Sequence, residues 1–220
     1  MKKEKKINIK KVLIFLLILY VLGSFFYYLL KFPIKNIYVK GNNILTDQEI
    51  IDIAGIREYP SFIFTTNSSI KSKLLKNNII QEVDIKRKIN GTIILVIKEY
   101  KPLFFDSNIK KIILSSGKST NLKLNAPILI NTMPKEVYEK LIISLNKIEQ
   151  DVFLKLSEIE YVPKDSDQER FLIKTTDKIS IYINIRKFDD INYYNELLST
   201  LEGKTGTWNL DYGNFFVSDW

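Results

Sequence analysis

Residues 79–103 read "IIQEVDIKRKINGTIILVIKEYKPL", and the fold of the first half of the chain turns on them. Val83, Ile85 and Ile89 occupy alternate positions between polar neighbours, the pattern of a strand with one buried face. Asn90-Gly91 follows, the dipeptide of a two-residue type I′ hairpin turn in which both residues take positive φ. Thr92–Tyr100 is then the return strand. Towards the N-terminus, Ile37 and Val39 mark another half-buried strand, and Gly41-Asn42-Asn43 supplies turn chemistry. Thr46 and Glu49 fit a capping box, with Ile50, Ile51, Ile53 and Ala54 forming the apolar side of a short helix that Gly55 can end. A second short helix fits "SSIKSKLLKNN" (68–78), with Ile70, Leu74 and Leu75 facing inward. The order strand, helix, helix, strand, strand predicts a three-stranded sheet covered on one face by two helices.

Ahead of this domain, "VLIFLLILYVLGSFFYYLL" runs from Val12 to Leu30 without a charge. A helix of this length spans roughly 28 Å, the thickness of a bilayer's hydrocarbon core. Lys11 and Lys31 bracket it, and Tyr27 and Tyr28 suit an interfacial belt. Residues 1–11 hold six lysines against Glu4 and carry +5 of the chain's net +8. Charge gathered in a tail beside an apolar run points to a membrane and away from nucleic acid, whose binders carry a basic patch on the folded part. The positive-inside rule puts residues 1–11 in the cytoplasm and residues 32–220 outside. A cleaved signal peptide is the rival reading, with Val21-Leu22-Gly23 as its cleavage site. The apolar run continues to Leu30, beyond a typical signal core, and favours an uncleaved anchor. The chain has neither Cys nor His, which removes disulfides, Cys/His zinc sites, thiol nucleophiles and imidazole catalysis.

Val39-Lys40-Gly41-Asn42, Ile85-Lys86-Arg87 and Ile97-Lys98-Glu99-Tyr100-Lys101-Pro102, behind a single anchor, resemble the POTRA domain of the FtsQ/DivIB cell-division family. Its pattern is a strand ending V-x-G-N, a capped helix, and a V-x-R hairpin whose return strand ends V-x-E-x-x-P. The resemblance implies a cytoplasmic tail (1–11), a transmembrane helix (12–30), a POTRA domain (32–102) and a β domain (103–220). The fold class expected is therefore α+β. Arg87 is a candidate partner contact; as an exposed strand cation, its ordinary role is a solvated residue beside a carboxylate.

Beyond Pro102, "LFF" (103–105), "KKIILSS" (110–116) and "PILIN" (127–131) are strand-like, and 134–150 reads as a helix carrying Val137, Leu141, Leu145 and Ile148 inward. Strands are expected over 156–163, 170–176 and 178–185. A helix is expected over 189–203, capped by Asp189 or Asp190 and ended by Gly203. "LSEIEY" (156–161), the hairpin "FLIKTTDKISIYINI" (171–185) and "WNLDYGNFFVSDW" (208–220) resemble the family's β domain. Lys178 and Asn184 replace usual glycines, and Asn209 and Asp211 replace a usual Asp and Arg, so charge contacts at the latter two positions do not carry over.

Signals for catalysis are weak. "SSGKST" (115–120) lacks the first glycine of a phosphate loop. Glu158, Glu160, Asp165, Asp167 and Glu169 gather around Pro163, where solvated loop charge is the default, and 165–169 lacks EF-hand spacing. No enzyme, cofactor, metal or small-molecule substrate is expected. The resemblance implies a non-catalytic divisome scaffold at the division septum. Its partners would be membrane-anchored coiled-coil proteins of the FtsB/DivIC and FtsL type, and it would help coordinate septal peptidoglycan synthesis. The alternative is a membrane-anchored extracytoplasmic enzyme or wall-binding protein sharing a POTRA-like module.

"NLDYGNFF" (209–216) is expected to be the terminal strand at a sheet edge, where a partner strand could add. Tyr212, Asn214 and Phe216 would share one face and Phe215 and Val217 the other, with Trp220 closing the site. Either these aromatics fill the domain's own core or they meet the partner, and alternation alone leaves open which face does which.

Overall fold

The computed structural model describes residues 9–219, which fall into two units, one ending at Glu99 and the other beginning at Tyr100. The first opens with α1 (Ile9–Lys31), whose side chains are all unburied and which is long and apolar enough to cross a membrane. The elements β1 (Asn36–Lys40), α2 (Asp47–Ala54), α3 (Asn67–Leu74), β2 (Ile80–Lys88) and β3 (Thr92–Glu99) follow. The sheet order is β1-β3-β2, with β1 parallel and β2 antiparallel to β3. Local chemistry explains the boundaries. Thr46 and Glu49 close the capping box, and Gly55 ends α2 in the left-handed region. Glu99 folds back from the end of β3 and accepts the Asn43, Ile44 and Leu45 amides at 2.7–2.9 Å, which holds the loop between β1 and α2. Ile50, Ile56, Ile70, Leu74, Ile93 and Leu95 pack as the fully buried centre.

The β2–β3 turn differs from expectation. Lys88 pairs with Thr92 across a three-residue loop, the Gly91 amide donates to the Lys88 carbonyl, and Gly91 alone has positive φ (86°). This is the three-residue hairpin loop in which a glycine follows the turn, not the two-residue type I′ turn. Asn90 stays at negative φ, and its side chain accepts the Thr92 amide. Ile89 consequently leaves the strand alternation and stands at the tip, almost fully exposed.

In the second unit the strands are β4 (Pro102–Asp106), β5 (Lys111–Leu114), β6 (Ser119–Thr120), β7 (Ile128–Leu129), β8 (Leu156–Tyr161), β9 (Arg170–Thr175), β10 (Ile179–Asn184), β11 (Gly206–Asn209) and β12 (Phe215–Ser218). The helices are α4 (Lys135–Leu145), α5 (Gln150–Phe153) and α6 (Tyr194–Leu201). All nine strands form one sheet, ordered β12-β11-β10-β9-β8-β7-β4-β5-β6. Pro102, read from sequence as the end of the first domain, begins the first strand of this sheet. Phe104, Leu141, Ile159, Phe171, Ile181, Phe188 and Tyr194 are among the residues of its core.

Two helices differ from expectation. The helix expected over 134–150 stops at Leu145, where the Asn146 side chain bonds the Ile142 carbonyl and Asn192 ties down Lys147 and Glu149. The helix expected from Asp189 is a 3₁₀ segment, Ile185–Tyr193, running into α6 and capped by Asn184, whose side chain accepts the Arg186 amide. Its buried residues Ile185, Phe188 and Ile191 recur every third position, as does Tyr194. That is the period of a 3₁₀ helix, in which positions i and i+3 eclipse. The β5–β6 and β9–β10 hairpins reuse the β2–β3 loop: Gly117 (φ 78°) and Lys178 (φ 61°) occupy the left-handed position that Gly91 holds in the first.

Candidate partner-binding edge

The stretch expected to be one terminal strand is a hairpin. β11 pairs parallel with β10 on one side and antiparallel with β12 on the other, and residues 210–214 turn between them. Tyr212 and Asn214 therefore lie in the turn and do not share a strand face with Phe216. The turn is held from below. Asp211 and Arg170 form an ion pair, Oδ2 to Nε 2.7 Å, with both side chains almost wholly buried, and the Arg170 guanidinium stacks on Tyr182. Burial works to raise the Asp211 carboxyl, but hydrogen bonds from Arg170 and the Tyr212 amide, with the Arg170 charge, outweigh it and hold the group below the ordinary aspartate value. Lys187 donates to the Leu210 carbonyl. Asn214 accepts the buried Trp208 indole N–H at 2.9 Å, so its amide serves the turn. Tyr212 is exposed; its hydroxyl meets Ser166 at 3.1 Å and its ring lies under the Lys164 ammonium.

β12 ends the sheet. Phe216 points inward and packs against the core, while Phe215 and Val217 face out, each about half exposed at 52%. The structure thus separates the two faces that alternation left equivalent. The Asp219 amide donates to Thr205 across the β11–β12 pair. Hydrogen-bonded pairs alternate along an antiparallel ladder, so Val217 and Phe215 also turn their backbone groups to β11. The amide and carbonyl of Phe216 and Ser218 then point to the open side. Gly206 makes this edge possible: a Cβ there would collide with the Val217 carbonyl oxygen and come within 2.9 Å of Ser218 Cα. Sequence reasoning passed over Gly206, and a lone glycine opening a short strand was the one signal available. Trp220, the last residue of the expected site, lies outside the described residues.

Arg87 is far from a solvated strand cation beside a carboxylate. Its guanidinium donates to the carbonyls of Thr65 (2.6 Å) and Phe62 and stacks on the Phe62 ring. It fastens the loop between α2 and α3, and desolvation lowers its pKa. Three of the five carboxylates weighed for catalysis are engaged as well. Glu158 pairs with Lys174, Glu169 with Lys140 and Arg186, and Asp167 accepts from the Asn184 side chain. The last two line an open groove of about 560 Å³ with Ser166, Asp211 and Tyr212. Among the described residues no cluster of three acidic, His or Cys side chains is arranged to hold a metal ion.

Comparison with known proteins adds two kinds of likeness. The family described as "POTRA domain, FtsQ-type" matches residues 32–100. The cell division protein DivIB of Bacillus anthracis is 26% identical over 97% of this chain and 84% of its own length. That of Bacillus cytotoxicus is 26% identical over 98% of this chain and 91% of its own. A solved extracytoplasmic domain of DivIB from Geobacillus stearothermophilus is 19% identical, covering 48% of this chain and 96% of that domain, with a TM-score of 0.39. Residues 32–100 are thus matched as an FtsQ-type POTRA domain, and over almost its whole length the chain is similar to cell division proteins named DivIB.

Proposed function

We propose that this protein is a non-catalytic scaffold of the division machinery, and that it binds a partner segment by strand addition to β12. The supporting observation is the open edge itself: free backbone groups at Phe216 and Ser218, with the exposed side chains of Phe215 and Val217 beside them. Added strands gain affinity from backbone hydrogen bonds and specificity from alternating side chains. Aromatic residues suit such an edge because they bury much area with few torsions to freeze. The partners proposed are coiled-coil membrane proteins of the FtsB/DivIC and FtsL type, and the consequence of binding is coordination of septal peptidoglycan synthesis. In this reading α1 is a single-pass anchor at the septum. The lysine-rich residues 1–11 stay in the cytoplasm and both folded units stand outside it. Engagement of Asp167, Glu169 and Asp211 by donors within the groove favours a structural role for that surface over acid–base catalysis.

The test is a double substitution, Phe215→Lys with Val217→Lys. Both side chains face outward, so the fold should survive. Binding of the co-purified FtsB/DivIC-type partner should weaken by about tenfold or more, equivalent to roughly 1.4 kcal/mol. Wild-type affinity in a folded double variant refutes binding through this edge.

A further inference from the structure

The membrane-proximal pole of the first unit carries apolar side chains that its own fold leaves uncovered. Four residues separate the end of α1 at Lys31 from the start of β1 at Asn36, a reach of at most about 14 Å. β1 and β3 run parallel with Asn36 opposite Thr92, so the β2–β3 hairpin tip lies at the same end as the exit from α1. The contacts agree: the Lys35 amide donates to the Gly91 carbonyl at 2.8 Å. The loop between α2 and α3 reaches the same place. Ser61 Oγ donates to the Leu30 carbonyl in the last turn of α1 at 2.6 Å, the Phe62 amide to Phe32, and the Ile34 amide to Pro60. Arg87, on β2, clamps this loop from behind through Phe62 and Thr65.

At this pole stand Ile89 (98% exposed), Phe64 (68%), Tyr59 (51%) and Ile63 (40%). Lys31, Lys35 and Lys88 are exposed around them, and Glu58 is the acidic neighbour of Tyr59. Isolated apolar side chains on a surface need no explanation. Here, however, they stand on two loops, one hydrogen-bonded through Ser61 to the last turn of α1 and the other to Lys35 just beyond it. Apolar and aromatic tips ringed by lysines match the interfacial layer of a membrane, which accepts aromatic side chains and attracts cations to lipid phosphates.

We propose that this pole docks into the headgroup layer of the leaflet from which α1 emerges, with Ile89, Ile63 and Phe64 as its inserted contacts. The occupant is the lipid bilayer, chosen because the chain itself is tethered there. Docking at two loops as well as at α1 fixes the tilt of the POTRA domain. The inference rests on α1 spanning the membrane.

The chain contains no cysteine, so single cysteines can be introduced and labelled with an environment-sensitive fluorophore. Ile89→Cys, Phe64→Cys, Phe25→Cys and Lys98→Cys are made in the full chain and reconstituted into phosphatidylcholine/phosphatidylglycerol vesicles containing nitroxide-labelled lipid. Phe25, within α1, reports the span; Lys98, six residues along β3 and about 20 Å away, reports the far end. The expected result is blue-shifted, quenched emission at positions 25, 64 and 89 and unquenched emission at 98. Quenching at 25 without quenching at 64 and 89 overturns the docking while leaving the span intact. No quenching at 25 overturns the span and the docking with it. Equal quenching at 98 and 89 overturns the oriented pole.

Discussion

Lys178 occupies a backbone position that favours glycine, which makes it a sharp test of the hairpin reasoning. Its φ is 61°, in the left-handed region, where its amide closes the loop on the Thr175 carbonyl. The side chain is exposed, so removing it leaves the core intact. A non-glycine residue in this region costs roughly 1–2 kcal/mol through crowding of Cβ against the following carbonyl. Glycine relieves that strain but also loosens the unfolded chain, which takes back about 0.4–1 kcal/mol. Lys178→Gly is therefore expected to stabilise the second unit by a net 0.5–1 kcal/mol or so, a rise in melting temperature of about 2–5 °C for a unit of this size. Trp208 is buried in the core of the second unit, so its fluorescence follows the unfolding of that unit in the full chain in detergent. An unchanged or lowered midpoint refutes the claim that β9 and β10 are joined by the same loop that Gly91 and Gly117 close.

Gly91→Val should produce the opposite sign in the first unit, because a Cβ there meets the Phe32 ring at 3.1 Å in addition to the backbone strain. A loss of about 1–3 kcal/mol, read from amide exchange of β2 and β3, is expected. Asp211→Asn leaves the buried Arg170 charge unpaired and should destabilise the second unit by on the order of 3 kcal/mol at neutral pH. Since the folded-state Asp211 value is depressed, the ion pair's contribution is present above the ordinary aspartate value near 4 and is lost as pH falls through the lower folded one. The urea midpoints of wild type and variant should therefore converge below about pH 4; a constant gap contradicts the assignment. Gly206→Ala should push β12 off the sheet, so that Phe215 and Val217 amides exchange rapidly while β9 and β10 stay protected.

Local chemistry that acts within a few residues was legible. The Thr46–Glu49 capping box and the alternating strands 156–161, 170–175 and 179–184 could be read because neighbouring positions carry the whole signal. The unbroken apolar run of α1 was as plain. The 3₁₀ segment is hidden because Ile185 reads as the end of the preceding strand and Phe188 falls between that strand and the expected helix, which splits the three-residue spacing of Ile185, Phe188, Ile191 and Tyr194. The terminal hairpin was also written in the sequence: Gly213-Asn214 separates two hydrophobic runs. Treating the aromatics as one strand hid it, and put Tyr212 and Asn214 on a face they do not share. Phe215 and Val217 were placed together by alternation, but only the packing of Phe216 against the core identifies theirs as the outward face. Arg87 was misread because its partners are carbonyls more than twenty residues away, and nothing in a linear pattern marks a carbonyl as an acceptor.

Amide hydrogen exchange at single-residue resolution, on the full chain with and without the proposed FtsB/DivIC-type partner, tests the proposed strand addition at β12 most directly. In the free protein, Phe215 and Val217 amides should already be slowed by pairing with β11, while those of Phe216 and Ser218 exchange freely. Partner binding should slow Phe216 and Ser218 selectively and restore the two-residue alternation to uniform protection. Saturating partner that leaves Phe216 and Ser218 as fast as before, with protection appearing on another surface, would contradict the account.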